Sequence, residues 1–176
     1  MRLVVTGVAD CQVSADPSVV LVTYALGSCI GLLVYDPAAQ VGGLLHFMLP
    51  NSAIDVEKAK RQPFMFADIG VPKLFDMVSK LGAQTRRLII TAVGGAQVLD
   101  LNGAFDIGKQ NHLALRKILW KTGVLVHSED IGGTVSRMVR LDVGTGKVLL
   151  RKGDGPEQEL LTSPMAKGGK EWLSQL

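Results

Sequence analysis

A cysteine and a histidine on two neighbouring apolar segments are the residues of this sequence best suited to catalysis. Cys29 begins the segment of residues 29–35, and His46 lies within the segment of residues 41–49. A thiolate is the nucleophilic form of cysteine, and an imidazole beside it both lowers the pKa of the thiol and carries the proton. Such pairs recur in acyl transfer, so the residue types predict a Cys–His dyad if the chain brings the two side chains together.

The loop between the two segments decides whether the side chains meet. An Asp-Pro step after the first segment favours a turn, and the segments are therefore predicted to form a β-hairpin. A four-residue loop pairs Tyr35 with Gln40. In that register Cys29 faces His46, whereas a five-residue loop turns Cys29 to the other face of the sheet. A bulge at residues 42–43, or a position of Cys29 just outside the strand, would restore the pair.

Three residues upstream of Cys29 have types that would assist such a dyad. Thr23 lies at the end of the preceding predicted strand, where its hydroxyl or carbonyl could accept a hydrogen bond from the imidazole. Gly27 and Ser28 would let backbone N–H groups approach an oxyanion. The opposing interpretation is structural, because a cysteine in an apolar strand is usually a small buried hydrophobe and His46 could be a satisfied core histidine.

Other chemistry has weaker support in the sequence. Gly94 and Gly95 follow a predicted strand, but there is neither a GxGxxG pattern nor a Walker lysine, so a tight turn is the better interpretation. Cys11, His112 and His127 do not lie at metal-ligand spacing. No metal site and no cofactor are therefore predicted.

Composition predicts one globular domain that neither binds nucleic acid nor inserts into a membrane. The 176 residues are 47% hydrophobic, which is enough for one core. The net charge is only +3 and aromatic residues make up 5%, a balance that does not favour nucleic acid. Residues 17–35 carry no charge, but glycines and polar residues interrupt them, as in strands buried on both faces. The two cysteines form no CxxC motif, and a reducing cytoplasm is predicted.

Hydrophobic periodicity predicts strands that alternate with two helices, an α/β pattern. The predicted strands cover residues 2–8, 19–24, 29–35, 41–49, 87–93, 124–128, 138–142 and 147–151, and the predicted helices cover residues 64–81 and 107–121. Asp106 is the predicted N-cap of the second helix. Residues 51–61 are predicted to form a mobile loop that borders a substrate cleft together with the loop of residues 94–102. Residues 153–176 are polar and rich in glycine, which predicts an extended or disordered tail.

These segments resemble one family along most of the chain. The sequence is similar to the CheD family, the chemoreceptor glutamine deamidases of bacterial chemotaxis. Gln110 replaces an arginine that is usual in that family, a difference that bears on substrate choice more than on chemistry. The motifs that carry the resemblance lie in the family's order and spacing within residues 1–152: Thr23, Leu26-Gly27-Ser28-Cys29, His46-Phe47-Met48-Leu49-Pro50, Gly94-Gly95-Ala96, Ile107-Gly108 with Asn111, Asp130 with Gly132-Gly133, and Thr145-Gly146.

The resemblance implies a fold and a mechanism. Members of the family form a layered α/β sandwich of mixed sheets with two main helices, similar to the catalytic domain of deamidating bacterial toxins, which implies one such domain over residues 1–152. Cys29 would be the nucleophile, His46 the general base and acid, and Thr23 the residue that orients His46. Together they would convert a glutamine side chain to glutamate through a thioester, without a cofactor or a metal.

The resemblance also implies two kinds of protein partner. The cytoplasmic domains of methyl-accepting chemoreceptors would be the substrate, and CheC-type phosphatases bind members of the family. The alternative to an enzyme is therefore a non-catalytic binding module that regulates a CheC-type phosphatase. The presence of all three of Thr23, Cys29 and His46 favours the enzyme.

Overall fold

Two five-stranded sheets pack face to face in the computed structural model, which describes residues 1–98 and 106–160. The first sheet contains, in spatial order, β1 (Arg2–Val5), β3 (Val19–Leu26), β8 (Arg137–Asp142), β9 (Val148–Lys152) and β10 (Gln158–Glu159). The second contains β2 (Asp10–Ser14), β5 (Val41–Phe47), β4 (Ile30–Asp36), β6 (Ile89–Gly94) and β7 (Ser128–Ile131). The pairs β1–β3 and β6–β7 are parallel and the other pairs are antiparallel, so both sheets are mixed.

Two long helices cover the outer face of the second sheet. These helices, α2 (Ala67–Lys80) and α3 (Ile107–Lys121), follow a short helix, α1 (Val56–Arg61). Helix α3 has the predicted limits, and the Asp106 side chain caps it by accepting a hydrogen bond from a backbone N–H at 2.9 Å. The predicted layered α/β sandwich of mixed sheets with two main helices is confirmed. Among the described residues, no helix is long and apolar enough to cross a membrane.

The second sheet is buried on both faces because it lies between the first sheet and the helices. Along β4 and β5, successive side chains point to opposite sides. Leu33 and Leu44 pack between the sheets, whereas Leu32 and Leu45 pack under α2 and α3. Every residue of β4 and β5 is buried, which explains why both strands are continuous apolar runs rather than alternating ones.

The side chain of Asp36 fixes the register of the β4–β5 hairpin. The turn occupies residues 37–40, and the buried Asp36 carboxylate accepts hydrogen bonds from two turn amides at 3.0 and 3.2 Å. Asp36 therefore stays in the ladder, paired with Val41, and Gly31 lies opposite His46. Both predicted registers of the hairpin are wrong, because neither includes a turn organised by this carboxylate.

A second set of hydrogen bonds holds Asp36 from outside the hairpin. The Arg87 guanidinium donates to both carboxylate oxygens, with Nη2 2.7 Å from Oδ2, and Gln84 N donates at 2.8 Å. Burial alone would raise the pKa of Asp36, but these hydrogen bonds and those of the turn lower it to about 2. Because the carboxylate stays charged and bonded at neutral pH, the register of the hairpin stays fixed, and the position of His46 with it.

Residues 51–61 do not form the mobile loop that their polarity predicts. Asn51 caps a 3₁₀ helix, Ser52–Ile54, and Asp55 caps α1; the two side chains accept backbone hydrogen bonds at 2.7 and 2.9 Å. Asn51 and Asp55 are therefore helix caps, and the charged residues after them belong to α1. The prediction was wrong because such short helices carry little hydrophobic periodicity.

The sequence does not predict β2 or β10. Strand β2 is short, and polar residues occupy alternate positions, at Asp10, Gln12 and Ser14. Strand β7 begins where the predicted strand of residues 124–128 ends. Strand β10 lies in the predicted tail and extends the first sheet by pairing with β9. The rest of that tail, residues 161–176, and residues 99–102 of the predicted loop lie outside the described residues.

Candidate active site

His46 projects from β5 into the space between the two sheets. It lies opposite Gly31, and a Cβ atom on Gly31 would meet Leu26 and Val139 of the first sheet. This face of the second sheet therefore points to the first sheet, and the His46 side chain is buried there. Its Nδ1 lies 2.8 Å from Oγ1 of Thr23 on β3, so the hydrogen bond joins the two sheets.

The hydrogen bonds of Thr23 determine which nitrogen of His46 carries the proton. Thr23 Oγ1 lies 2.8 Å from the carbonyl oxygen of Thr6, which can only accept, so the single hydroxyl proton is donated there. Toward His46 the hydroxyl can then only accept, and Nδ1 must carry a hydrogen. In the neutral imidazole the lone pair consequently lies on Nε2. Nε2 is buried and has no hydrogen-bond partner among the described residues, which leaves it free to take a proton.

Cys29 lies one residue before β4, on the same face of the second sheet as His46. It is two residues from Gly31, the residue opposite His46, so the two side chains are diagonal neighbours rather than directly opposed. The half-buried thiol packs against the apolar cluster between the sheets. Diagonal neighbours are within reach of each other when one side chain is long, as histidine is. The two residues thus share a face although the predicted register is wrong.

A cleft of about 600 Å³ opens beside Cys29. This volume is ample for one glutamine side chain. Of the two segments predicted to border a cleft, residues 51–61 do not line this one, whereas Gln97 and Val98 do. The other main contributions come from the Cys29 loop and the start of α3: Gly27, Ser28, Ile107 and Gly108.

Burial keeps both members of the pair uncharged at neutral pH. Burial lowers the pKa of His46 to about 4, an effect that the carboxylate of Asp10 opposes only in part. Burial also raises the pKa of the Cys29 thiol. The hydrogen bond from its own backbone N–H lowers that pKa by a smaller amount. The expectation that the imidazole lowers the thiol pKa is therefore wrong for the resting state, because a neutral imidazole has no charge with which to stabilise a thiolate.

Backbone hydrogen bonds hold the Cys29 loop against the segment that follows β6. Gly95 N donates to the carbonyl of Cys29 at 2.9 Å, and Ala96 N donates to that of Gly27 at 2.8 Å. Gly94 has a φ of +122°, and a Cβ atom there would collide with the Cys29 carbonyl oxygen. The glycine pair thus allows a close backbone approach in a tight turn.

Asn111 of α3 joins the Cys29 loop to the segment that follows His46. Its side chain is fully buried, and Nδ2 donates to the carbonyl oxygens of Ser28 at 3.0 Å and Met48 at 2.8 Å. The sequence marks Asn111 only as part of a motif and predicts no role for it. What the sequence shows is a polar residue on the buried stripe of an amphipathic helix. Such a residue needs hydrogen-bond partners, but periodicity does not identify them.

The two backbone N–H groups predicted to face an oxyanion differ in availability. Ala25 has a φ of +56° at an irregularity of the β3–β8 ladder, and Gly27 N donates to its carbonyl at 3.0 Å. The Gly27 N–H is thus already bonded. Ser28 N has no hydrogen-bond partner in residues 1–98 and 106–160, and Ser28 lines the cleft beside Cys29.

The other cysteine and the other histidines lie away from this pair and make structural contacts. Cys11 points into the core under the helices, where burial raises its pKa to about 12. His112 Nε2 lies 3.0 Å from a carboxylate oxygen of Glu129. His127 Nδ1 accepts a hydrogen bond from Ile90 N at 3.1 Å. The part of the chain that the structure describes contains no group of three or more potential metal ligands.

The chain is similar to a group of chemotaxis proteins. Residues 48–152 match the family model described as CheD chemotactic sensory transduction. A protein of Solibacter usitatus, named "Probable chemoreceptor glutamine deamidase CheD", is 54% identical over 169 residues, which cover 96% of this chain and 99% of that protein. The "Chemoreceptor glutamine deamidase CheD" of Thermotoga maritima is 38% identical over 154 residues, which cover 88% of this chain and 94% of that protein. The family match begins after His46, but the similarity to these relatives extends over most of the chain.

Replacing Gly94 with alanine is expected to destabilise the fold by about 2–4 kcal/mol, because the strain of a positive φ adds to a collision with the Cys29 carbonyl. Gly82→Ala is the control, since Gly82 also has a positive φ, +101°, but a Cβ atom there meets nothing within 4 Å. The control should lose about 1 kcal/mol. Urea denaturation measures both values, and equal losses would contradict the close approach at Gly94.

Proposed function

The chain belongs to the CheD family, and we propose that it converts chemoreceptor glutamines to glutamates with Cys29 as the nucleophile and His46 as the general base and acid. Its activity is protein-glutamine deamidation in chemotaxis, the activity for which these relatives are named. The hydrogen-bond chain through Thr23 is the main support for these residue roles, because it leaves the lone pair of the imidazole on Nε2.

In the first half of the proposed reaction, Nε2 of His46 takes the thiol proton as Cys29 Sγ attacks the carbonyl carbon of the glutamine side chain. The C–N bond then breaks, ammonia leaves with the proton that His46 returns, and a thioester remains. In the second half, Nε2 takes a proton from water, and the resulting hydroxide attacks the thioester. The thiol is released with that proton, and the product is glutamate.

The oxyanion that forms on the amide oxygen requires donors next to the sulfur. We assign this role to Ser28 N–H, because it has no other partner in the described part of the chain and lies in the cleft wall. Gly27 contributes space rather than a donor: its N–H is bonded to Ala25, and a Cβ atom on Gly27 would come within 3.3 Å of Val98.

The proposed compartment is the cytoplasm. Both cysteines are free, and Cys29 must remain a thiol in order to act as a nucleophile. A reducing compartment keeps such thiols from forming disulfides. The cytoplasmic domains of chemoreceptors are accordingly the proposed substrate.

Three exposed apolar side chains at or next in sequence to cleft-lining positions, here called the rim, support docking of a protein surface. Tyr24, Val98 and Val135 are 43%, 42% and 47% exposed, and they either line the cleft or adjoin residues that do. Clustered exposed apolar side chains favour protein contacts. We propose that the receptor helix carrying the glutamine docks on this rim, and that a CheC-type phosphatase uses the same rim as an alternative occupant.

The Cys29→Ala protein is expected to lose at least about 10³-fold in turnover while keeping its fold, because the reaction loses its nucleophile. Intact-mass analysis of a receptor cytoplasmic fragment measures the activity, since each deamidation adds about 1 Da as a neutral amide becomes an acid. Cys11→Ala is the matched control and should leave turnover unchanged, because Cys11 faces the other side of the sheet. Near wild-type turnover by Cys29→Ala would refute the assignment.

Replacing Thr23 with valine is expected to lower kcat by about ten- to a hundredfold, because the buried Nδ1–H of His46 loses its acceptor while side-chain volume is preserved. Thr23→Ser keeps the hydroxyl and should restore most of the loss. Single-turnover kinetics on the receptor fragment give both values. If the valine variant turns over like the wild type, Thr23 does not orient the base.

A CheC-type phosphatase is expected to slow receptor deamidation in proportion to the complex formed, because both proteins would cover the same rim. Titration of the phosphatase into the mass assay tests this expectation. A variant with Val98 and Val135 changed to serine should weaken both interactions. Undiminished deamidation by fully bound enzyme would mean that the phosphatase docks elsewhere.

A further inference from the structure

The proposed reaction forms a positive charge in a buried site. When His46 takes the thiol proton, its imidazole becomes an imidazolium inside the space between the sheets. Burial disfavours that charge, and the only group hydrogen-bonded to the ring among the described residues, Thr23, is a neutral hydroxyl. A counter-charge near His46 would therefore stabilise the transition state.

Asp10 lies at the position where such a counter-charge is needed. It is the residue directly opposite His46 in the β2–β5 ladder, so the two side chains project from the same face of the second sheet. Asp10 from β2 and the Cys29 thiol before β4 are the titratable groups nearest to His46 on this face of the second sheet, and β3 contributes the neutral hydroxyl of Thr23. Farther along the same row, Asp130 of β7 forms an ion pair with the buried Arg137 of β8, so these two charges offset each other. Among the described residues, Asp10 is thus the charged residue directly beside His46 in this row.

The Asp10 carboxylate is held in a fixed orientation. Oδ1 accepts from Cys11 N at 2.7 Å, and Oδ2 accepts from Gln12 Nε2 at 3.1 Å and Gly7 N at 3.2 Å. Gly7 directly follows Thr6, the residue whose carbonyl accepts the Thr23 hydroxyl proton. The same carboxylate therefore faces the imidazole and stabilises the turn from which that carbonyl projects.

We propose that Asp10 is a positioning residue of the deamidation reaction, which stabilises the His46 imidazolium by its charge and fixes the Thr6 carbonyl through Gly7. The inference rests on the proposed function, in which His46 is the base. Asp10 supplies the negative charge that the Thr23 hydroxyl cannot, while the hydroxyl sets the tautomer. The pKa of His46 agrees with this division of roles. Burial lowers that pKa, and the Asp10 carboxylate raises it by a smaller amount.

Asp10→Asn tests the charge separately from the shape. Asparagine keeps an oxygen that can accept from Gly7 N but removes the charge, so kcat should fall about ten- to a hundredfold with KM unchanged. Since a carboxylate favours imidazolium, its removal should lower the pKa of His46. The acid limb of kcat/KM, expected near the His46 pKa of about 4, should move about one pH unit lower.

Two further variants separate this effect from a structural one. Asp10→Glu retains the charge and should restore the acid limb. Asp16→Asn is the matched control, because the Asp16 carboxylate also accepts a backbone N–H in a turn, from Ser18 at 2.9 Å, but is solvent-exposed. It should leave kcat and the pH profile unchanged. An acid limb that stays at its wild-type position in Asp10→Asn, or an equal loss of kcat in Asp10→Asn and Asp10→Glu, would overturn the proposal.

A measurement without turnover distinguishes failure of this inference from failure of the proposed function. Imidazole NMR titration of His46 in the Cys29→Ala protein, with and without Asp10→Asn, gives the pKa directly. A lower pKa in the double variant supports the role of Asp10, and an unchanged pKa overturns it. Persistent deamidation by Cys29→Ala would instead refute the function on which the inference rests.

Discussion

The hydrogen bond between His46 and Thr23 is the contact on which the rest of the site depends. It crosses the buried interface between the two sheets, so the imidazole is oriented only when both sheets are packed together. Because Thr23 also donates to the Thr6 carbonyl, the segment that follows β1 decides the direction of the hydroxyl and hence the tautomer of the ring. Backbone geometry of the first sheet thereby sets the tautomer of His46, the proposed base, although His46 belongs to the second sheet.

Close backbone approach lets helix α3 support the Cys29 loop. A Cβ atom on Gly108, in the first turn of α3, would collide with the carbonyl of Gly95, so only glycine allows the helix to come this close. One turn later, Asn111 donates to the carbonyls of Ser28 and Met48, which lie next to Cys29 and two residues after His46. The glycines therefore permit the short distance between α3 and the segment that holds the Cys29 loop, and the buried side-chain amide of Asn111 fixes that distance.

The parts of this arrangement that the sequence could predict are those set by local patterns. Periodicity and an N-cap gave the limits of α3, and residue type singled out Cys29 and His46. The register of the hairpin could not be predicted, because it depends on the Asp36 carboxylate and on Arg87, 51 residues away. The roles of Asn111 and Asp10 were equally hidden, since Asn111 lies 83 residues from Ser28 and β2 has too little pattern to reveal its pairing with β5.

Burial of an uncharged pair has a consequence for selectivity. In the proposed reaction, burial opposes both the thiolate and the imidazolium, so charge separation is favourable only when attack moves the negative charge from sulfur to the oxygen of a bound amide. In this proposal the oxygen lies on the cleft side, where Ser28 N–H is available, and His46 holds the positive charge near β2. The two charges thus need opposite kinds of support at opposite ends of the site: a donor at the cleft and a carboxylate beside β5. The proposed nucleophile would therefore react with a bound amide and remain protonated in its absence, because only the thiolate is reactive.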